Sequence, residues 1–354
     1  MKSMSIPRLS GVALLLLAAP SQAAGQSRVV HDSVRAGALE GNLFGDRTTR
    51  EVLVYLPPSY DREPKRRFPV LYLLHGFTSL PSEWLDGSYP GLNLQMTMDS
   101  LLAGNAGDEF LVVMPDANSR LGGGFYTNSP VAGGWADFVV RDLVGHIDGH
   151  YRTRANRTHR ALAGHSMGGY GTLVLGFQHP ELFGLLYAMS PCCITFAGEF
   201  SPTSEAWAAA AAASTWEVPR TPPGLRLVVA LAAGLSPAPD RPRRYGELPF
   251  EPDSSGRLHP RPATLDRWRS RMPIGLIPAL KRSRHRPPAI FLEFGLEDHL
   301  ASVAAGVAVL TRALDSAHVP YVLSSFEGGH VDRMPERIGG ALLPTVGEYF
   351  QSAH

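Results

Sequence analysis

Long apolar runs in the first third of the chain predict strands that are buried on both faces. Residues 68–74 read FPVLYLL and residues 110–114 read FLVVM, with no charged side chain in either run. Continuous runs of this kind are typical of strands inside a parallel sheet, where helices cover both sides. Two earlier segments also have strand character, and the second alternates between apolar and polar positions: 28–38 and 50–56.

Farther along the chain, strand-like and helix-like segments follow one another. In residues 135–151 the apolar side chains recur at intervals of three and four, which predicts a helix. The same reasoning predicts strands over 160–163, 185–189, 289–294 and 321–326, and helices over 169–178, 304–314 and 335–351. This alternation predicts an α/β fold with a mostly parallel central sheet and helices on both of its faces.

Residues 194–286 interrupt the alternation. They contain an alanine-rich run at 206–213, many prolines, and an apolar stretch at 225–235 that fits either a strand or a helix. Residues 257–286 carry nine Lys or Arg side chains. We interpret this basic stretch as solvated surface, with contact to an anionic surface or substrate as the alternative. We expect residues 194–286 to form a cap-like insertion packed over the sheet, not a separate domain.

The N-terminus has the pattern of a secretory signal peptide. Lys2 and Arg8 precede the apolar run 11–19, and small residues lead up to Ala23. We predict cleavage after residue 23, which leaves 24–354 as a single domain that is secreted or periplasmic. An uncleaved N-terminal anchor is the alternative, but the apolar run is short for a membrane span, and the mature chain has no candidate span.

Charge and cysteine content exclude several classes of protein. The 33 basic and 32 acidic side chains give a net charge of +1, so we predict no binding to nucleic acid. Cys192 and Cys193 are adjacent, which ordinary disulfide geometry does not favour, and we interpret them as small core residues. His146 and His150 are four residues apart, but the His-Glu-x-x-His pattern is absent. We therefore predict neither a metal site nor a cofactor.

The sequence Gly-His-Ser-Met-Gly-Gly at 164–169 points to the chemistry. It contains Gly-x-Ser-x-Gly, in which a serine lies on a sharp turn from a strand to a helix and glycines remove collisions beside it. The segment before it is strand-like and the segment after it is helix-like, as this arrangement requires. We therefore predict that Ser166 is a nucleophile. An idle serine in a glycine-rich turn is the alternative.

A serine nucleophile of this kind needs an acid and a histidine later in the chain. His330 follows the last predicted strand and is the expected base. The acid should follow the strand 289–294, where Asp298 is the first choice and Glu297 the second. Two backbone N–H groups should form an oxyanion hole, and we assign those of Met167 and Phe77.

A glycine-rich loop supplies candidates for the substrate pocket. Tyr126, Asn128 and Trp135 flank this loop, which should lie near the carboxyl edge of the sheet. They are candidates for binding the acyl or alcohol part of a substrate. Packing within the core or the loop explains them equally well.

Together these motifs resemble the esterase D and feruloyl-esterase group of α/β-hydrolases, which includes the mycolyltransferase antigens. The matching pieces are YLPPSY at 55–60, LLHG at 73–76, Trp84, VMPD at 113–116, GHSMGG at 164–169, His179-Pro180, Phe183, Gly295 with Asp298, and GGH at 328–330. The resemblance implies a triad of Ser166, Asp298 and His330. It also implies oxyanion amides at Phe77 and Met167. The long insertion departs from the compact members, so their substrate class does not carry over.

The pattern predicts an exported serine esterase that hydrolyses carboxylic esters through an acyl-enzyme. The expected substrate is a small-molecule or glycan-linked acyl ester. Predicted export argues against the cytosolic glutathione-thioester role of the esterase D relatives. Two alternatives remain: an acyltransferase that uses the same triad, and a non-catalytic binding protein on the hydrolase scaffold.

Overall fold

The computed structural model describes residues 26–104, 108–216 and 222–352. The predicted signal peptide, residues 1–23, lies outside these ranges. None of the described helices is both long and apolar enough to cross a bilayer.

Eight strands form the central sheet. They are β1 (Arg28–Arg35), β2 (Thr49–Leu56), β3 (Val70–Leu74), β4 (Leu111–Pro115), β5 (Arg160–His165), β6 (Leu185–Met189), β7 (Ala289–Gly295) and β8 (Val322–Phe326). Their order across the sheet is β1-β2-β4-β3-β5-β6-β7-β8. The first two strands pair antiparallel, as do β2 and β4, and all pairs from β4 to β8 are parallel. The predicted mostly parallel sheet is therefore confirmed.

Helices cover the sheet. They are α1 (Leu94–Ala103), α2 (135–150, with a π-helical segment at Phe138–Leu143), α3 (Met167–Gln178), α4 (Glu205–Ala212), α5 (Pro223–Leu235), α6 (Pro262–Arg271), α7 (Pro273–Arg282), α8 (Ala301–Ala317) and α9 (334–352, with a π-helical segment at Ile338–Leu342). Single helical turns lie at Gly37–Leu39, Ser59–Arg62, Pro81–Trp84, Arg157–His159 and Gly198–Phe200. Two short ribbons, Asn128–Ser129 with Gly133–Gly134 and Phe250–Pro252 with Leu258–Pro260, lie outside the main sheet.

The continuous apolar runs lie in strands that are covered on both sides. In β3, residues 70, 72 and 74 pack into one core and residues 71 and 73 into the other. The first core also takes side chains from α2, α3, α7 and α8, and the second from α1 and α9. Because strand side chains alternate between faces, a strand between two helical layers must be apolar at every position.

Two expectations about the elements were incomplete. Strand β1 ends at Arg35, not at residue 38, because the chain enters the helical turn Gly37–Leu39. Helix α1 was not predicted, although Asn93 marks its start by accepting a hydrogen bond from the Met96 N–H at 3.0 Å. The ambiguous apolar stretch 225–235 is helical.

The insertion is built into the core of the sheet domain. Helix α7 packs against both α3 and α8. Trp207, Trp216 and Trp268 are fully buried and belong to the same apolar core as the first face of the sheet. The Trp268 indole N–H also donates to the Ser236 hydroxyl at 2.6 Å. These contacts support the interpretation of 194–286 as part of a single domain.

The buried tryptophan gives a test of that interpretation. Trp268→Ala should lower the free energy of unfolding by about 3–5 kcal/mol, the usual cost of removing a buried tryptophan. The neighbouring Arg269 is largely exposed, so Arg269→Ala should change it by less than about 0.5 kcal/mol. Denaturant unfolding followed by circular dichroism measures both. A separate early transition for the insertion would contradict a single domain.

Candidate active site

Ser166 lies in a sharp turn between β5 and α3. Its backbone has φ of 58° and ψ of −115°, a conformation that residues with a side chain rarely adopt. Three backbone hydrogen bonds fix the turn: the Ser166 N–H donates to the Met189 carbonyl at 2.9 Å, and the Ser166 carbonyl accepts from Tyr170 at 2.9 Å and Cys192 at 3.4 Å. The strained turn is the conformation expected for a nucleophile between a strand and a helix, and the surrounding bonds hold it.

The flanking glycines are required by close packing of the backbone. A Cβ atom on Gly168 would lie 2.2 Å from the Leu74 carbonyl oxygen, and one on Gly164 would lie 2.5 Å from the Gly168 backbone. Neither position has room for any side chain. The turn therefore presses against the end of β3, which brings the loop after β3 next to Ser166.

His330 and Asp298 form a buried pair at the same edge of the sheet. The His330 Nδ1 lies 2.7 Å from the Asp298 Oδ2, and the side chains are only 8% and 1% exposed. A carboxylate accepts hydrogen bonds, so this contact places a proton on Nδ1 and leaves Nε2 as the basic nitrogen. No hydrogen bond joins the Ser166 hydroxyl to His330 in the described part of the chain. In serine hydrolases this contact is often long without substrate and shortens in the complex.

The loop after β7 selects between the two candidate acids. The Asp298 Oδ1 accepts a hydrogen bond from the Leu300 N–H at 2.9 Å, while its Oδ2 faces His330. The Glu297 side chain is exposed, and its backbone N–H donates to the Gly328 carbonyl at 3.0 Å. The geometry thus favours Asp298, whose catalytic role stays a prediction.

The two predicted oxyanion residues both lie close to Ser166 along the backbone or across the turn. Met167 is the first residue of α3, where backbone N–H groups have no partner within the helix. Phe77 follows Gly76, and a Cβ atom on Gly76 would lie 3.5 Å from the Ser166 Cβ. The Thr78 N–H donates to the Gly122 carbonyl at 2.6 Å and holds this loop in place. The arrangement is compatible with an oxyanion hole, which stays a prediction.

His75 stabilises the loop that carries Phe77. Its Nε2 accepts a hydrogen bond from the Ala117 N–H at 2.8 Å, so the ring proton lies on Nδ1, which contacts the Gly76 carbonyl at 2.8 Å. Burial lowers the pKa of His75, which keeps the ring neutral. In the sequence, His75 stands out only as part of the LLHG segment at 73–76, which gives no sign of this role.

Two of the three pocket candidates have the packing role that the sequence left open as an alternative. Tyr126 and Trp135 are fully buried and do not line an open pocket. The Tyr126 hydroxyl donates to the His75 carbonyl at 3.1 Å, and the Trp135 indole N–H donates to the Ala132 carbonyl at 2.8 Å. Both side chains therefore stabilise the loops near Ser166 by packing in the core and donating to loop carbonyls. Asn128 is exposed, and its side-chain oxygen accepts from the Asp137 N–H at 3.1 Å, so its role at a substrate stays a prediction.

Two further pairs of residues singled out in the sequence, the cysteines and the helix histidines, make structural contacts. Cys192 and Cys193 are buried in the core and not linked to each other by a disulfide. The His146 Nε2 contacts Asp32 at 2.8 Å, and the rings of His146 and His150 are stacked. Within the described ranges no three His, Cys, Asp or Glu side chains come together as metal ligands would.

Comparison with known proteins decides the family. A model of the putative esterase family matches residues 47–334 of this chain. The chain belongs to this family. The resemblance that the sequence motifs indicated is thereby confirmed.

Individual relatives match shorter stretches. The chain is 34% identical over 138 residues to an endo-1,4-beta-xylanase/feruloyl esterase of Xylanibacter ruminicola. The matched stretch covers 37% of this chain and 18% of that protein. It is also 35% identical over 127 residues to an esterase of Mycobacterium tuberculosis. That stretch covers 34% of this chain and 25% of the esterase. The matched segments thus span a quarter or less of these relatives' own length.

A solved structure extends the likeness to the whole fold. A ferulic acid esterase matches with a TM-score of 0.60 at 21% identity, covering 92% of this chain and 99% of that one. At this identity the match shows the fold. It confirms the α/β-hydrolase architecture that the alternating pattern and the motifs predicted.

Two neighbouring carboxylates allow a direct test of the acid. Asp298→Asn should lower kcat by about 10⁴-fold, the loss seen when a triad aspartate becomes an amide. Glu297→Gln removes an exposed carboxylate and should cost less than about tenfold. Steady-state kinetics on one small ester compares the two variants. If Glu297→Gln is the crippled enzyme and Asp298→Asn is nearly normal, the acid has been assigned to the wrong residue.

Proposed function

We propose that the protein is an exported serine esterase that hydrolyses carboxylic esters through an acyl-enzyme. The observation that carries the proposal is the buried pair of His330 and Asp298 at the sheet edge where Ser166 occupies its strained turn. Membership of the esterase family supports the same reaction class. The export signal rests on the sequence of residues 1–23 alone.

The proposed reaction has two halves. The Ser166 hydroxyl attacks the ester carbonyl carbon while His330 Nε2 takes its proton, and the N–H groups of Phe77 and Met167 stabilise the oxyanion. The intermediate collapses, and the leaving alcohol takes the proton from His330. Water then attacks the acyl-enzyme with His330 again as base, which releases the acid and restores Ser166. Asp298 holds the ring and stabilises the imidazolium throughout.

The substrate we propose is an acyl ester on a small molecule or a glycan. The names of the Xylanibacter relative and of the matched structure both refer to feruloyl or ferulic acid esters. A panel of p-nitrophenyl, feruloyl and acetyl-sugar esters on the purified mature protein would define the acyl and alcohol parts. Adding a competing alcohol to the same assay separates hydrolysis from acyl transfer, because transfer gives a new ester in place of the free acid.

The nucleophile can be tested without knowing the natural substrate. Ser166→Ala should lower kcat by about 10⁶-fold on any ester that the wild type hydrolyses, the loss typical of a missing nucleophile. It should also abolish labelling by a fluorophosphonate probe. Ser316→Ala, which removes an exposed hydroxyl on α8, is the matched control and should label normally. Equal labelling of the wild type and Ser166→Ala would show that the nucleophile is another residue.

A further inference from the structure

The backbone carbonyl of His330 accepts hydrogen bonds from two buried side chains. The His165 Nε2 lies 2.8 Å from this oxygen, and the Arg337 Nη1 lies 3.1 Å from it. His165 precedes Ser166 directly in the chain, whereas Arg337 lies in α9. The carbonyl of the proposed base is therefore held from the side of the nucleophile turn and from the side of α9.

The contact with His165 fixes the form of that ring. A carbonyl oxygen only accepts, so the His165 Nε2 must carry the proton. Its Nδ1 is buried and has no hydrogen-bond partner. Burial, together with the nearby His330 and Arg337, holds the pKa of His165 well below its usual range. The ring therefore stays neutral and keeps its donor on Nε2.

Arg337 is itself anchored in the core. Its Nε donates to the Glu293 Oε1 at 2.5 Å, and its Nη2 donates to the Ser190 hydroxyl at 3.1 Å. The Glu293 Oε2 accepts from the Tyr187 hydroxyl at 3.0 Å, so both carboxylate oxygens of Glu293 have a hydrogen-bond donor. The side chains of Arg337 and Glu293 are 3% and 5% exposed. Arg337 thus connects the His330 loop to the ends of β6 and β7.

We propose that His165 and Arg337 are positioning residues for the general base, and that His165 couples the nucleophile turn to His330. The inference rests on the proposed function. His165 is covalently next to Ser166 and hydrogen-bonded to the His330 carbonyl, so it links the two reacting residues through one peptide bond and one hydrogen bond. The Asp298 contact orients the imidazole ring, while the His165 and Arg337 contacts fix the backbone from which the ring projects. Such a connection holds the hydroxyl and Nε2 at a constant separation.

Two substitutions of similar size separate positioning from packing. His165→Met fills the space without a donor, whereas His165→Gln carries an amide N–H near the position of Nε2. For His165→Met, kcat on a small ester should fall about 10²-fold, the loss that follows a misplacement of about 1 Å, with KM nearly unchanged. For His165→Gln, most of that loss should be recovered. Thermal unfolding of both variants measures any effect on stability.

The outcomes distinguish this inference from the proposed function. If the wild type turns over esters and His165→Met has the same kcat, the positioning role is wrong and the esterase proposal stands. If the Met and Gln variants lose kcat equally and in step with their thermal stability, His165 only packs, and the inference again fails. If the wild type neither turns over esters nor reacts with a fluorophosphonate, the proposed function fails and the inference fails with it.

Arg337 provides a second test that does not depend on the folding of His165→Met. Arg337→Lys keeps a cation beside Glu293 but removes the guanidinium nitrogens that reach His330 and Ser190. We expect kcat to fall about tenfold, the scale of one lost hydrogen bond, with KM unchanged. An unchanged kcat in a folded Arg337→Lys variant would overturn the role of Arg337.

Discussion

The close approach of the backbone at Gly168 to the Leu74 carbonyl is the constraint on which the rest of the site depends. The two backbones come so near that a single methyl group would collide with that oxygen at 2.2 Å. This contact seats the start of α3 against the end of β3. It therefore brings Ser166, the first N–H groups of α3 and the loop 75–77 into one small region, although they come from distant parts of the sequence.

The backbone conformation of Ser166 in this turn is costly. A non-glycine residue in such a backbone region costs about 1–3 kcal/mol and persists only where the surroundings determine it. Here the carbonyl of Met189 and the N–H groups of Tyr170 and Cys192 supply the required hydrogen bonds. Arg337 holds the His330 loop by donating to the His330 carbonyl, and a buried ion pair with Glu293 anchors Arg337 itself. Removing one partner of such a pair costs about 3–5 kcal/mol, so this network is also part of the stability of the fold.

Local patterns in the sequence carry the parts of the structure that depend on local chemistry. The apolar runs predict β3 and β4, and the glycines at 164 and 168 predict the turn at Ser166, because each depends on residues within a few positions. Parallel topology then predicts that His330 lies at the same edge. The sequence put Asp298 ahead of Glu297 without excluding either, and three-dimensional geometry shows which carboxylate faces the ring.

The features that the sequence did not reveal depend on long-range contacts. The burial of Tyr126 and Trp135 follows from packing against distant segments, so their place beside a glycine-rich loop left a pocket role and a packing role equally open. The ion pair of Glu293 and Arg337 joins residues 44 positions apart and has no sequence signature. His165 occupies a position that the Gly-x-Ser-x-Gly pattern leaves open, and only its contact with His330 gives it a role.

The proposed reaction requires that Ser166 becomes acylated during turnover. Rapid acid quenching of the protein with an activated ester, followed by peptide mass spectrometry, tests it most directly. The peptide that contains Ser166 should gain the mass of the acyl group, and fragmentation should place the group on that serine. Turnover with the acyl group on a different residue would contradict acylation of Ser166. Turnover with no acylated peptide, under quenching fast enough to trap one, would contradict it as well.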